Sequence, residues 1–150
     1  MAQSLSQVYV HITFSTKDRL PLIDKEIKPR LMEYLGGACR KLECTPLQVG
    51  GTNDHIHILC VLSKKITQIK LLEEVKKSSS KWIKTIAPKY HSFYWQKGHG
   101  IFSVNPSEID VVVEYINNQE EHHKTRTFKE EYLAFLKKHK IEYDEKYLWD

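Results

Sequence analysis

His55 and His57 stand one residue apart in Asp54-His55-Ile56-His57-Ile58-Leu59-Cys60-Val61-Leu62, the stretch of this chain with the most specific chemistry. The run is apolar, carries β-branched residues and follows Gly50-Gly51-Thr52-Asn53, so it reads as a buried strand entered from a tight turn. Side chains at i and i+2 of a strand share a face, which sets the two imidazoles side by side with α-carbons roughly 7 Å apart. Such a pair can grip one metal ion. It can equally be two hydrogen-bonded histidines of a sheet, and the strand alone does not choose. Ile56, Ile58 and Cys60 point the other way, into a core.

A second group of candidates follows Asn105-Pro106-Ser107-Glu108, where proline suits a first helical turn. The spacing predicts a helix to about His123, with Val111, Tyr115, Asn118, Gln119 and His122 on one stripe and Ile109, Val112, Val113 and Ile116 on its buried side. A tyrosine beside an apolar helix face is, by itself, an ordinary core-edge residue. With the two histidines it fits a metal-assisted phosphodiester exchange. His55, His57 and the Gln119 amide oxygen can hold a divalent cation, with positions left for a phosphate oxygen and water. The Tyr115 hydroxyl, one helical turn away, then attacks phosphorus in line and carries the covalent intermediate. Of the eight tyrosines, Tyr115 alone sits one turn before a candidate ligand. Two nitrogens and one amide oxygen favour manganese over magnesium in affinity.

The elements that must position these groups follow from periodicity. Gln7 to Phe14 alternates and reads as a first strand, with Val8, Val10, Ile12 and Phe14 on one face. A helix is expected from Asp24, as N-cap, to about Lys41, and a hairpin joins Thr45–Val49 to the histidine strand. A second helix runs from about Thr67 to Ile86, with Ile69, Leu72, Val75, Ser79, Trp82, Ile83 and Ile86 on its apolar face, and Pro88 stops it. Phe93–Trp95 and Gly100–Val104 are short strand candidates. A last helix spans about Thr127 to Lys140, with Phe128, Tyr132, Phe135 and Leu136 apolar. This order argues for an α+β fold, an antiparallel sheet of four or five strands flanked by helices on a ferredoxin-like plan.

At 150 residues and 41% hydrophobic composition, the chain suits one domain spanning 1–150. A net charge of +4 permits a polyanionic partner without requiring one. Three unpaired-looking cysteines, with no signal peptide or membrane-length apolar run, lead us to expect a soluble cytoplasmic protein.

His55-Ile56-His57, Trp95-Gln96-Lys97-Gly98, Phe102-Ser103-Val104 and Glu114-Tyr115-Ile116-Asn117-Asn118-Gln119-Glu120-Glu121-His122-His123 together resemble the IS200/IS605-type single-tyrosine (Y1) transposases of the HUH endonuclease superfamily. The similarity runs from about Tyr9 to Tyr147. It implies a DNA transposase that cuts and rejoins single-stranded DNA at element ends through a 5′-phosphotyrosine, recognises DNA hairpins and uses magnesium or manganese. His55 and His57 match the metal pair, Tyr115 the nucleophile and Gln119 the third ligand. The resemblance also implies a homodimer in which each active site joins one subunit's histidines to the other's tyrosine helix. Glycines that let this helix swing in such proteins have no counterpart next to it here: Gly98 and Gly100 precede a strand, and Pro106 starts the helix.

Lys76, Lys77, Lys81 and Lys84 on the second helix, helped by Ser78, Ser79 and Ser80, read either as a solvated face or as a phosphate-binding surface for hairpin DNA. Lys17 and Arg19, after the first strand, could serve similarly, while Phe93, Tyr94 and Trp95 fit core packing better than base stacking. A histidine-triad hydrolase is excluded, since Leu59 stands where a third histidine is needed. A two-histidine phosphoesterase has one His-x-Thr, at His11-Ile12-Thr13, and lacks a convincing second. A non-catalytic nucleic-acid-binding domain explains the lysines and leaves His55, His57, Tyr115 and Gln119 as coincidence.

Overall fold

The computed structural model describes residues 2–150. Strands β1 (Tyr9–Ser15), β2 (Pro46–Gly51), β3 (His55–Val61) and β4 (Gly100–Val104) form one antiparallel sheet in the order β2-β3-β1-β4. Helices α1 (Lys28–Lys41) and α2 (Gln68–Lys84) follow the first and third strands. After β4 come α3 (Ile109–Asn117), α4 (Gln119–His122), α5 (Phe128–Lys138) and α6 (Glu145–Leu148). This is the expected α+β architecture, with four strands.

Strand alternation divides the sheet into two faces with different chemistry. Val10, Ile12 and Phe14 of β1 join Ile56, Ile58 and Cys60 of β3 in the main core, with Leu31, Leu35, Leu71, Leu72, Val75 and Ile83 from α1 and α2. The intervening residues, His11 and Thr13 on β1 and His55 and His57 on β3, line the opposite face and are buried. A smaller cluster of Phe102, Phe128, Tyr132 and Leu136 holds α5 over that face, with Leu148 and Trp149 packed against it.

Local chemistry sets the ends of the elements. The Asp24 side chain accepts from the Ile27 amide at 2.9 Å, so Asp24 caps as expected, although regular helix begins only at Lys28. Thr67 caps α2 in the same way, and Thr127 with Glu130 forms a reciprocal capping box on α5. Gly50 lets α3 approach β2: a Cβ there would stand 2.8 Å from the Ile116 carbonyl oxygen.

Three expectations about elements need correction. Phe93–Trp95 is not a strand. The chain crosses the end of β1 with one bridge, Thr16 to Trp95, and turns Phe93 and Trp95 into the core, where Trp95 packs edge-on to Phe14 and donates to Ser79. The expected helix from Asn105 to His123 is a short 3-10 turn at Pro106–Glu108, then α3, a break at Asn118 and α4. The break falls at Asn118, whose backbone leaves helical values at φ −101° and ψ 23°, while the Asn117 side chain accepts from Gln48 on β2. Ile69 is 73% exposed rather than on the buried face of α2.

Candidate active site

β3 places His55 and His57 on the covered face, and α3–α4 places Tyr115 and Gln119 opposite them. His55 Nε2 lies 2.9 Å from Gln119 Oε1, and the Tyr115 ring centroid lies 5.8 Å from that of His57, edge-on. All four expected residues therefore meet within one chain. The break at Asn118 does not separate Tyr115 from Gln119, because the Gln119 amide nitrogen donates to the Tyr115 carbonyl at 3.3 Å. That bond turns the amide oxygen toward His55.

The residue that sequence reading missed is Glu131. It projects from α5 into the centre of the cluster, with Oε1 2.8 Å from His57 Nε2 and 3.7 Å from His55 Nε2. Its other oxygen accepts from the Tyr115 hydroxyl and from His123 Nε2, the latter at 3.0 Å. A sequence signal did exist: Glu131 falls at helical spacing from Phe128 and Phe135, so it is an acid on an apolar stripe. His122 stacks on Tyr115 at a centroid distance of 4.7 Å, and His123 lies tilted against His55 at 4.3 Å.

The donor set fits a divalent cation on three observations. His55, His57 and Glu131 each offer one ligand atom, and these atoms lie within 4.8 Å of one another. His57 Nε2 and Glu131 Oε1, although 2.8 Å apart, are not aligned as a hydrogen bond, and both are buried without another partner. On the other histidine, Nδ1 sits 2.7 Å from Asp54 Oδ1 and 2.9 Å from Thr52 Oγ1, an arrangement that suits a proton on Nδ1 and leaves Nε2, 2.9 Å from the Gln119 oxygen, to serve as a ligand. A cation among these four atoms gives the buried nitrogens and oxygens a common partner in a dry site. A carboxylate or hydroxyl behind a ligating imidazole is the usual support for such a site.

Burial and charge bias the protonation of four of these groups. Burial pushes the Glu131 carboxyl up, but His123, His57 and His55 together hold it well below the usual carboxylate range. Burial, then the Glu131 charge and hydrogen bond, raise the Tyr115 hydroxyl above the ordinary tyrosine range. Burial lowers His57 despite Glu131, and burial followed by the neighbouring His57 lowers His11 strongly. In the unfolded chain both rings titrate near 6.5, so below that pH the unfolded state binds more protons than the folded one. Stability is full above about pH 6.5 and falls with acidification. Urea denaturation in the presence of a chelator is expected to show a loss of up to about 3 kcal/mol between pH 7.5 and 5.5 from these two rings. A flat profile over that range contradicts the assignment of both as neutral.

The basic residues divide sharply. Lys17, Lys77 and Lys81 are exposed. Lys76 is turned inward, its ammonium 3.1, 3.0 and 2.6 Å from the carbonyl oxygens of Gln96, Lys97 and Gly98. Lys84 bonds to Ser80 and lies over the Tyr94 ring, and Arg19 donates to the Trp149 carbonyl. Ser79 is buried, bonding to Val75 and Trp95. The triplet Gln96-Lys97-Gly98 is thus a structural clamp at the end of β1, where Gln96 Oε1 also accepts the Ser15 amide.

Residues 4–119 match the family described as Transposase IS200 like. The chain belongs to that family. Among solved structures it is similar to a Deinococcus radiodurans R1 protein described as a transposase, at 16% identity and a TM-score of 0.62, over 79% of this chain and 98% of that one. It is also similar to a REP-associated tyrosine transposase bound to a REP hairpin, at 14% identity and a TM-score of 0.58, over 82% of this chain and 74% of the other. At these identities the likeness shows the shared fold. No curated protein matches the chain significantly. α5, and with it Glu131, lies outside the residues the family covers.

Proposed function

We propose that this member of the IS200-like transposase family, acting as one domain over residues 1–150, cleaves and rejoins single-stranded DNA with Tyr115 as nucleophile beside a divalent-cation site of His55, His57, Gln119 and Glu131. The observation that carries the reading is the convergence of those four donors on one buried point, with the Tyr115 hydroxyl bonded to one of them. A bound manganese or magnesium ion supplies Lewis-acid charge beside the scissile phosphate. In the cutting step the Tyr115 oxygen bonds to phosphorus and the P–O3′ bond breaks, its electron pair leaving on the 3′ oxygen. Glu131, which accepts the Tyr115 hydrogen bond, is placed to take the phenolic proton, and the 3′ oxygen gains a proton to become a hydroxyl. The products are a 5′-phosphotyrosine and a free 3′ end. Rejoining reverses the step, so no ATP is needed.

His55, His57, Gln119 and Glu131 are each at most 1% exposed, so a DNA strand reaches them only after α5 or the α3–α4 arm moves outward. The contacts among His57, Tyr115 and Glu131 of a single chain support an active site complete within one copy, in contrast to the shared sites that the resemblance implies for a homodimer. Two measurements test this reading. A single-stranded oligonucleotide carrying the cleavage site is expected to become covalently attached to the protein when manganese is added, and absence of attachment counts against the function. Mixing His57→Ala with Tyr115→Phe chains is expected to restore nothing, whereas recovery of cleavage would show that sites are shared between subunits.

Hairpin DNA is the proposed partner, and the exposed Lys17, Lys77 and Lys81 are the residues offered to its phosphates. Each charge removed from Lys77 and Lys81 is expected to lower the logarithmic salt slope of hairpin binding by about 0.7 to 0.9. Lys76, committed to carbonyls, is expected to leave the slope unchanged. Equal slopes for the wild type and the Lys77→Ala/Lys81→Ala protein would return this face to solvation. No described helix is long and apolar enough to cross a membrane, and the three free cysteines are buried, which supports placement in the cytoplasm with the DNA.

A further inference from the structure

We propose that His11 is a positioning residue of this site, holding His57 in the tautomer that presents Nε2 to the cation. The inference rests on the cation reading above and extends it to a residue on a different strand. His11 lies on β1 opposite Leu59, diagonal to His57 and on the same covered face of the sheet. Its Nε2 stands 2.8 Å from His57 Nδ1, with ring centroids 4.9 Å apart, and both rings are buried.

Between two neutral imidazoles in this arrangement a single proton is shared, and its position decides what His57 can do. If His11 donates, the His57 proton stays on Nε2. It then points at a place where the nearest oxygen, Glu131 Oε1, is misaligned for a hydrogen bond. The site would then offer no lone pair on His57 to a ligand. If His57 donates from Nδ1, His11 accepts, the pair is satisfied, and Nε2 carries its lone pair into the cluster. A cation held by Nε2 beside Glu131 requires the second arrangement, and His11 Nε2, 2.8 Å behind the ring, is the acceptor that makes it available.

The same logic operates on His55 through different chemistry. There the acceptor behind Nδ1 is the Asp54 carboxylate, with Thr52 beside it. Both ligating histidines are thus backed from behind, one by an anion and one by a neutral ring. His11 cannot easily turn away, since Phe135 packs edge-on against it at 5.1 Å. Thr13, the third residue of His11-Ile12-Thr13, donates instead to the Ile56 carbonyl, so the triplet does not form half of a two-histidine phosphoesterase site.

Nitrogen-15 NMR of the magnesium-loaded, histidine-labelled full chain reads the tautomers directly. The expected result is a protonated Nδ1 and an unprotonated Nε2 on His57, with the same on His11. A His57 protonated at Nε2 overturns the proposal. Manganese titration then separates positioning from simple packing. His11→Phe keeps an aromatic ring and removes the acceptor, and is expected to weaken manganese binding by about 10- to 100-fold. His11→Gln, which carries an amide oxygen, is expected to recover most of that affinity. A folded His11→Phe protein that binds manganese as the wild type does overturns the proposal. If His11→Phe does not fold, wild-type NMR and His11→Gln binding decide. Failure of the wild type itself to bind manganese overturns the cation reading, an outcome distinct from wild-type binding that His11→Phe leaves unchanged.

Discussion

Tyr115→Phe is expected to form no covalent adduct with single-stranded DNA, a fall of at least about three orders of magnitude, as is usual when a nucleophile is removed. The substitution takes away one oxygen and nothing else. That oxygen donates to Glu131, so its loss leaves the carboxylate with one donor fewer and costs stability of about 1 kcal/mol, small enough for the variant to remain folded. Hairpin binding should be unaffected, because the hydroxyl is engaged with Glu131 and its loss removes no positive charge. In the closed arrangement the tyrosine is at rest: burial and the Glu131 charge both favour the protonated phenol. A cation beside Glu131 offsets that negative charge, so manganese and tyrosine should be required together. Peptide mapping of the wild-type adduct is the decisive measurement, and attachment to any tyrosine other than Tyr115 overturns the assignment.

Manganese at about a hundred times its dissociation constant is expected to stabilise the fold by about 2.7 kcal/mol. For a chain of this size that is a rise in melting temperature of roughly 5 to 10 °C. The effect should depend on Glu131. In the metal-free protein its Oε1 is buried 2.8 Å from a histidine nitrogen with no aligned hydrogen-bond donor, so one oxygen of the carboxylate is left for a cation to pair. Glu131→Gln keeps the shape and removes the charge, and is expected to weaken manganese binding more than tenfold, or about 1.4 kcal/mol. It is a cleaner probe than His57→Ala, which empties a fully buried ring position and loses stability through the cavity as well. Differential scanning calorimetry with and without manganese checks both parts. A shift in Glu131→Gln as large as in the wild type would remove Glu131 from the ligand set and leave it as a partner of Tyr115 only.

Short-range pattern was enough to read much of this protein. Alternation on β1 and β3 sorted Val10, Ile12, Phe14, Ile56, Ile58 and Cys60 into the core and His55 and His57 onto the other face, because a strand's period of two leaves no freedom about which side a residue takes. Helical spacing put Tyr115 and Gln119 on one stripe for the same kind of reason, and the stripe survived the break at Asn118. What no local pattern could decide was which distant residues would cover that face. Glu131 reaches the histidines only because Phe128, Tyr132 and Leu136 dock α5 on Phe102, a contact between segments far apart in the chain. His11 meets His57 only through the register of β1 against β3, which aligns Thr13 with His57 and so sets His11 diagonal to it. Lys76 and Lys77 are neighbours with the same charge, yet one is drawn to three carbonyl oxygens while the other stays in water. Charge and period are properties of the sequence. The partner that neutralises a buried charge is chosen by packing, since only the folded chain brings the acceptor within hydrogen-bonding distance and excludes the water that would otherwise take its place.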